Sequence, residues 1–366
     1  MNRVLHISAN TYPKLNEKEH HTKKIWKELA KGFDEYHIYA RSQNNKYSYT
    51  IESNIHLHLI PKIHSKSRVF VITSIGLLFI IRRHKITHLT AQSSLLGGIS
   101  GVLASKIFKL PILVEIHGEQ YFRYLEKNSL ISKLVKFAFK NSTKIRSLSE
   151  SMTKKLGKSG FHENIILIPN RVNLKLFSNV KNSYNIEDEI KLVSVGRFVW
   201  EKNYLNLIKT LANTSIKFHL TLIGGGSEKK KYEDFITKEA VSNNFTLIDW
   251  IKQENMVNLI NQSDIYIQSS VSEGMPRTIL EAMALKLPII STDVGSIEGI
   301  LINDYNSILI EPNLNKLENA IHKISNNKEF RFRIANQAHK DVSEKYEWVT
   351  VFDKYRNEIK NMKYGS

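Results

Sequence analysis

The chain contains no cysteine among its 366 residues. That excludes disulfides, thiol nucleophiles and zinc–thiolate centres, and it suits a reducing cytosol. Long hydrophobic runs are also missing. The most apolar stretch, Val69 to Ile81 (VFVITSIGLLFII), has 13 residues, short of the roughly 20 that span a bilayer. The opening MNRVLHISAN lacks the extended apolar core of a secretory signal. No D-x-D carboxylate pair occurs, and neither G-x-G-x-x-G nor a P-loop is present. Acidic residues are scarce in one half only. Residues 1–170 hold 27 Lys and Arg against 11 Asp and Glu, whereas residues 171–366 hold 26 against 24.

The formal net charge of +18 therefore sits almost wholly in the first half. A basic half attracts an anionic surface, either phospholipid or nucleic acid. No nucleic-acid motif or stacking-aromatic pattern accompanies the charge, so a nucleic-acid partner is not expected. Basic residues also flank the apolar run: Lys62, Lys66 and Arg68 before it, Arg82, Arg83 and Lys85 after it. The run reads as a buried helix, as a helix lying in a membrane interface, or as both, one face to each.

With 366 residues and 42% hydrophobic content the chain is long enough for two cored domains. Val4–Ser8, Tyr36–Ala40, Ile55–Ile60, Thr87–Ala91, Pro111–Ile116, Ile145–Ser149 and Ile165–Ile168 read as strands. Helical stretches lie between most of them. Residues 10–21 read as a polar loop, and residues 127–140 as a helix with Leu130, Leu134, Phe137 and Ala138 on its apolar side. The rhythm predicts a parallel, doubly wound sheet. Residues 173–189 are polar and poorly periodic and read as an interdomain linker. A second strand–helix series starts at Lys191.

The organising stretch of that second series is Ser269 to Glu298, SSVSEGMPRTILEAMALKLPIISTDVGSIE. A strand precedes it, and Arg277 to Leu285 reads as a helix with Pro276 in its first turn. Free N–H groups at that helix mouth suit an anion such as a diphosphate. Glu273 lies at the mouth. Glu281 lies roughly 6 Å along the axis from Arg277, where a carboxylate can take ribose hydroxyls. Arg197 and Lys202, in GRFVWEK after a strand, are cations able to clamp a diphosphate and stabilise it as it leaves. Gly224 to Gly226 after the next strand form either a tight turn or a loop that a nucleotide approaches closely.

The E-x7-E pair, set within SxxSEGxP, EAMAxxxPII and DVGSxE, resembles the nucleotide-sugar site of the family 4 retaining glycosyltransferases. GRFxxEK matches another motif of that family, and the likeness runs from about Val4 to about Tyr355. It implies an α/β fold of the GT-B type, two Rossmann-like doubly wound domains facing a central cleft. Residues 1–170 would bind the acceptor and residues 171–344 the nucleotide sugar. A closing helix at about 345–362, carrying Trp348 and Tyr355, would pack back on the first domain.

The implied activity is a metal-independent, retaining hexosyl-type transfer from a nucleotide diphosphate sugar, UDP-sugars favoured. The implied acceptor is a saccharide or lipid-linked saccharide of surface glycan synthesis. His117, in the HG pair after a buried strand, and Glu273 would be the catalytic groups. Gly196, Arg197, Lys202, Gly224, Gly226, Gly274, Met275, Pro276, Ile279 and Glu281 would bind the donor. Asn10, Tyr12 and Lys14 would face the acceptor. The family often has a Gly–Gly pair in the loop after the first strand; YPKLNEKEHH has none. A catalytically silent nucleotide-sugar binder is the alternative. No metal or other cofactor is expected, since the histidine spacings form no ligand set with carboxylates. The expected location is cytoplasmic, peripheral on the inner face of an anionic plasma membrane.

Overall fold

Val4, Leu5 and Ile7 are apolar, and the side chains between them are buried as well. Burial on both faces marks a central strand of a parallel sheet. In the computed structural model this stretch is the core of β1 (Arg3–Tyr12). The structure describes every residue except 18–20, 63–73, 119–121, 123, 126–128, 179 and 366, together with all but the side chain of His21. The strand reaches four residues past Ser8, so Asn10 and Tyr12 stand on it rather than in a polar loop. A register shift against β2 (Glu35–Ser42) between Ile7 and Thr11 accommodates the extension.

The chain forms two compact units, Met1–Ile168 with Phe352–Ser366, and Pro169–Val351. The first unit adds β3 (Ser48–Glu52), β4 (Ile55–Ile60), β5 (His88–Ala91), β6 (Ile112–Glu115), β7 (Lys144–Ser147) and β8 (Ile165–Leu167). Their order is β3-β4-β2-β1-β5-β6-β7-β8. Only β3 runs antiparallel, along the β4 edge. Sequence inspection missed it because Tyr49 and Ile51 point outward and its apolar signal is weak. The order reverses between β1 and β5, so the carboxyl ends of those two strands diverge and leave a crevice.

The second unit repeats the logic with β9 (Ile190–Val195), β10 (Phe218–Ile223), β11 (Phe245–Ile248), β12 (Ile265–Gln268), β13 (Ile289–Thr292) and β14 (Ile308–Ile310). All are parallel, in the order β11-β10-β9-β12-β13-β14. The reversal falls between β9 and β12. The loops that follow those strands are Gly196–Asn203 and Ser269–Pro276.

Several boundaries differ from the sequence reading. Residues 173–189 are not a free linker. Phe177 and Tyr184 are buried, and Tyr184 Oη donates to the Lys286 carbonyl at 2.9 Å, which fixes the segment to the second unit. The helix Leu130–Lys140 buries Ser132, Val135, Ala138 and Phe139 and leaves Leu130 exposed. Its inward face is therefore turned from the Leu130–Leu134–Phe137 stripe. In the apolar run, Ile75–His84 is helical, with Leu77, Ile80 and Ile81 buried and Ile75 and Phe79 exposed. Val69 to Thr73, Lys66 and Arg68 lie outside the described residues.

Trp348–Asn361 is the last helix. From Phe352 onward it belongs to the first unit. Phe352, Tyr355, Ile359 and Met362 are buried there, each worth about 1.5–3 kcal/mol of apolar transfer. Arg356 donates to the Glu28 carbonyl at 2.7 Å.

Gly224 and Gly226 owe their identity to packing. A Cβ on Gly224 would overlap the Gly196 carbonyl oxygen, and one on Gly226 would meet the Phe198 backbone. The loops after β9 and β10 thus stack directly, joined by Phe198 N–H to the Gly225 carbonyl at 2.9 Å. Gly224→Ala should therefore cost about 2–3 kcal/mol, read as a lower urea midpoint with an unchanged m-value.

Candidate functional site

In the second unit the site grows from the crevice between β9 and β12. Ser269 Oγ donates to the Lys202 carbonyl at 2.8 Å, and Val271 N–H to the Glu201 carbonyl at 2.9 Å. These bonds tie the two loops edge to edge. Lys202 Nζ then reaches Glu273 Oε1 at 2.6 Å. Gln268 Nε2 and Ser270 Oγ donate to the same oxygen, each at 2.6 Å. One carboxylate oxygen is thus saturated by three donors. Among the described residues Oε2 has no partner, and an ionised carboxylate only accepts. It is held ready for an incoming hydroxyl.

Gly274 follows, and Met275 is clamped from behind. Asn170 donates from its backbone to the Met275 sulfur at 3.0 Å and from Nδ2 to the Met275 carbonyl at 2.7 Å. Pro276 is the residue before the helix, with ψ 119°, and not part of its first turn. The helix Arg277–Ala284 begins at Arg277, as the sequence suggested, and opens with free N–H groups. Ile279 is wholly buried. Its side chain belongs to the core, and only its backbone N–H can serve an anion. Arg197 is exposed, and among the described residues it makes no ion pair. Gly196, whose Cβ would strike the Tyr204 hydroxyl, and Gly224 and Gly226 shape the loops.

Glu281 lies about a turn into that helix. It remains partly open to solvent, yet protein crowds it. Burial pushes its carboxyl up to about 7, against the opposing pull of the Arg277 guanidinium. A carboxylate held this way burdens the unliganded fold, and such groups concentrate at functional sites.

In the first unit the corresponding crevice, between β1 and β5, carries a polar cluster. Gln92 Oε1 accepts from Ser8 Oγ at 2.6 Å, from Asn10 Nδ2 at 3.3 Å and from Tyr12 Oη at 3.5 Å. Lys14 lies just beyond, exposed in a turn closed by Glu17. Asn10 and Tyr12 therefore share a site with Ser8 and Gln92, which sequence reasoning did not group. The two halves of the cluster are more than eighty residues apart.

His117 follows β6. Its Nε2 donates to Glu115 Oε2 at 2.9 Å. Glu115 is buried and also receives Arg146 Nη1 at 2.7 Å and Tyr355 Oη at 2.5 Å. Burial alone would raise its carboxyl; the Arg146 guanidinium, with His117, holds it well below the usual carboxylate range. The Glu115 carboxylate accepts from His117 Nε2–H, which leaves Nδ1 as the ring nitrogen turned away from this pair. Glu115 and Arg146 were missed from sequence because single charged residues in buried strands carry no local signature. Glu119 lies outside the described residues.

Comparison with known proteins bears on the family and the fold. Residues 177–341 match the family Glycosyl transferases group 1, and residues 15–149 match Glycosyl transferase 4-like. The chain is 28% identical over 328 residues to an uncharacterized glycosyltransferase of Methanocaldococcus jannaschii, covering 86% of each. It is 25% identical to an Escherichia coli protein named UDP-Gal:alpha-D-GlcNAc-diphosphoundecaprenol alpha-1,3-galactosyltransferase, covering 74% of each. The fold matches that of Anabaena HepE in complex with UDP, with a TM-score of 0.78 and 15% identity, over 99% of this chain and 100% of that one.

The Glu281 carboxyl gives a pH test. A carboxyl raised from 4.5 to about 7 on folding contributes its full stability below pH 4.5 and loses it as pH rises through 7. Glu281→Gln should therefore melt higher than the parent at pH 8, by about 1–3 kcal/mol after solvent screening. The difference should shrink towards pH 5 in calorimetry.

Proposed function

This chain belongs to the type 4 glycosyltransferases of the GT-B fold, and on that premise we propose how it handles its donor and acceptor. It is a transferase of glycan biosynthesis. It moves a hexose-type sugar from a nucleotide diphosphate sugar to a saccharide or lipid-linked saccharide, with retention at the anomeric carbon. The observation that carries this reading is the triply anchored Glu273, with three donors on one carboxylate oxygen, at the mouth of the helix Arg277–Ala284.

The donor assignments follow from the chemistry of each group. Glu281 takes the ribose hydroxyls. Arg197, Lys202 and the N–H groups opening the helix Arg277–Ala284 receive the diphosphate. Gly274, Met275 and Pro276 shape the backbone beside the hexose, and Glu273 Oε2 accepts a hexose hydroxyl. Arrival of a diphosphate gives Lys202 a second anion beside Glu273. The relative that binds UDP and the one named for a UDP-sugar both support a uridine donor.

In the transfer, the bond from the anomeric carbon to the diphosphate oxygen breaks, and the acceptor oxygen bonds to the same face. The acceptor proton passes to the departing diphosphate, so no protein base is required. Fixed cations take the charge that develops on that leaving group, and no catalytic metal is needed. His117, oriented by Glu115, offers Nδ1 to a sugar hydroxyl. Asn10, Tyr12 and Lys14 line the acceptor side. A panel of nucleotide sugars tested by thermal shift should single out a uridine donor. Glu273→Ala should cut turnover by at least about a hundredfold with no metal added. Equal rates for the two proteins would defeat the catalytic assignment of Glu273, and no turnover by the parent would leave a silent binder.

The acceptor-binding unit also carries the basic surplus. Beside Arg82 and Arg83, the helix Ile75–His84 exposes Ile75 and Phe79. No helix of the described residues is long and apolar enough to cross a membrane. We read this face as resting on an anionic leaflet, the cytoplasmic one, where a lipid-linked acceptor is presented. Vesicles with anionic lipid should sediment the protein at low salt and release it at high salt. Paired Ile75→Asp and Phe79→Asp changes should weaken binding. Absence of sedimentation at low salt would defeat the reading.

A further inference from the structure

Histidines are concentrated at one place that the transfer reaction does not use. His37 on β2 pairs in register with His56 on β4, and Tyr39 pairs with His58. Side chains two apart along a strand share a face, so Glu35 and His37 stand on the same side as His56 and His58. The helix Ile75–His84 ends on that side with His84. The His37 and His84 rings lie 4.5 Å apart, and those of His58 and His84 lie 5.5 Å apart. His37 and His58 are buried; His84 is partly open.

The hydrogen bonds define which nitrogens are available. Glu35 Oε2 accepts from His37 Nε2 at 2.9 Å, and a carboxylate leaves that nitrogen the proton. His37 Nδ1 is then a lone pair, and it faces His58 Nε2 at 3.1 Å. Two nitrogens each about 2.0 Å from a tetrahedral ion stand about 3.3 Å apart. Ligand atoms of His37, His58 and His84 all lie within 4.8 Å of one another. Rotation of the half-open His84 side chain closes the remaining gap. A carboxylate on the far nitrogen of a ligand histidine is the usual outer partner of a bound metal. His56 is engaged differently, its Nδ1 sharing a hydrogen bond with Tyr49 Oη at 2.8 Å.

We propose that His37 Nδ1, His58 Nε2 and a ring nitrogen of His84 form a binding site for a zinc-type divalent transition-metal ion, with Glu35 orienting His37. The ligand set is three imidazoles, a combination that suits zinc over magnesium or calcium. Its role is structural. The ligands lie near the amino-terminal ends of β2 and β4, whereas His117 follows the carboxyl end of β6. The ion would pin the helix Ile75–His84 to the sheet edge, and with it the exposed Ile75 and Phe79. Spacing along the chain did not group these histidines; the strand register and a helix end bring them together.

The test uses the full chain without a histidine tag. After exhaustive chelation, titration with Zn2+ should show one ion bound per chain and a raised melting temperature. Co2+ in its place should give the visible absorption of a tetrahedral nitrogen site. His84→Ala, which removes a half-open ligand and should keep the fold by circular dichroism, should lose the ion. Glu35→Gln should weaken binding by about 10–100-fold. His56→Ala should still bind. No uptake by the parent chain at micromolar zinc would overturn the proposal. So would binding that survives His84→Ala, or that is lost in His56→Ala and kept in His84→Ala, since either places the ion on other ligands.

Discussion

Everything in the second unit's site depends on one oxygen atom. Glu273 Oε1 receives an ammonium, an amide and a hydroxyl at once. Those three donors come from the loop after β9, the end of β12 and the loop after β12. The reversal of strand order between β9 and β12 brings these segments to one crevice. Lys202 Nζ alone would leave the carboxylate free to swing about its single contact. Gln268 and Ser270 remove that freedom. The carboxylate is therefore held in one orientation, which lowers the ordering cost of any contact it makes.

Lys202 can stand there because the neighbouring loops are packed so tightly. Gly196 and Gly224 let the turns after β9 and β10 touch backbone to backbone, and Tyr204 fills the space beneath Gly196. The chain then bends through Trp200–Lys202 into a helix with no slack. In sequence Gly224 to Gly226 read as a tight turn or a loop open to a nucleotide, and in the structure these glycines let the neighbouring loops pack. A Cβ at Gly196 would stand 3.1 Å from Lys202 Cε, and one at Gly224 would strike the Gly196 carbonyl.

Much of this second-unit site was legible in the sequence because its parts are local. Glu273, the helix mouth and Glu281 lie within nine residues. The strand, loop and helix that carry them have clear apolar and turn signals. What the sequence could not display was burial. Ile279 reads as a plausible contact and is core, and Pro276 reads as a first-turn residue and stands before the helix. The first unit was less legible for a different reason. Tyr355 and Glu115 are 240 residues apart, and Gln92 is 84 from Ser8. Such contacts arise from strand order and from the return of the last helix, and no window along the chain contains both partners. The strand β3 escaped because an edge strand buries little, and its alternation is carried by polar residues.

The two units also hold their carboxylates in opposite ways, and the difference separates their roles. Glu115 is fully enclosed but paired with Arg146, Tyr355 and His117, so it stays ionised and serves as a fixed anchor. Removing Arg146 would strand a buried charge, which typically costs about 3–5 kcal/mol. Glu281 has only the opposing influence of Arg277, and its carboxyl is pushed towards neutrality. An anchor must be satisfied before any ligand arrives. A binding carboxylate gains from being under-satisfied, because the hydroxyls of a ligand then supply what the protein withholds. By that criterion Glu115 is an anchor within the first unit, and Glu281 is a carboxyl the fold leaves under-satisfied.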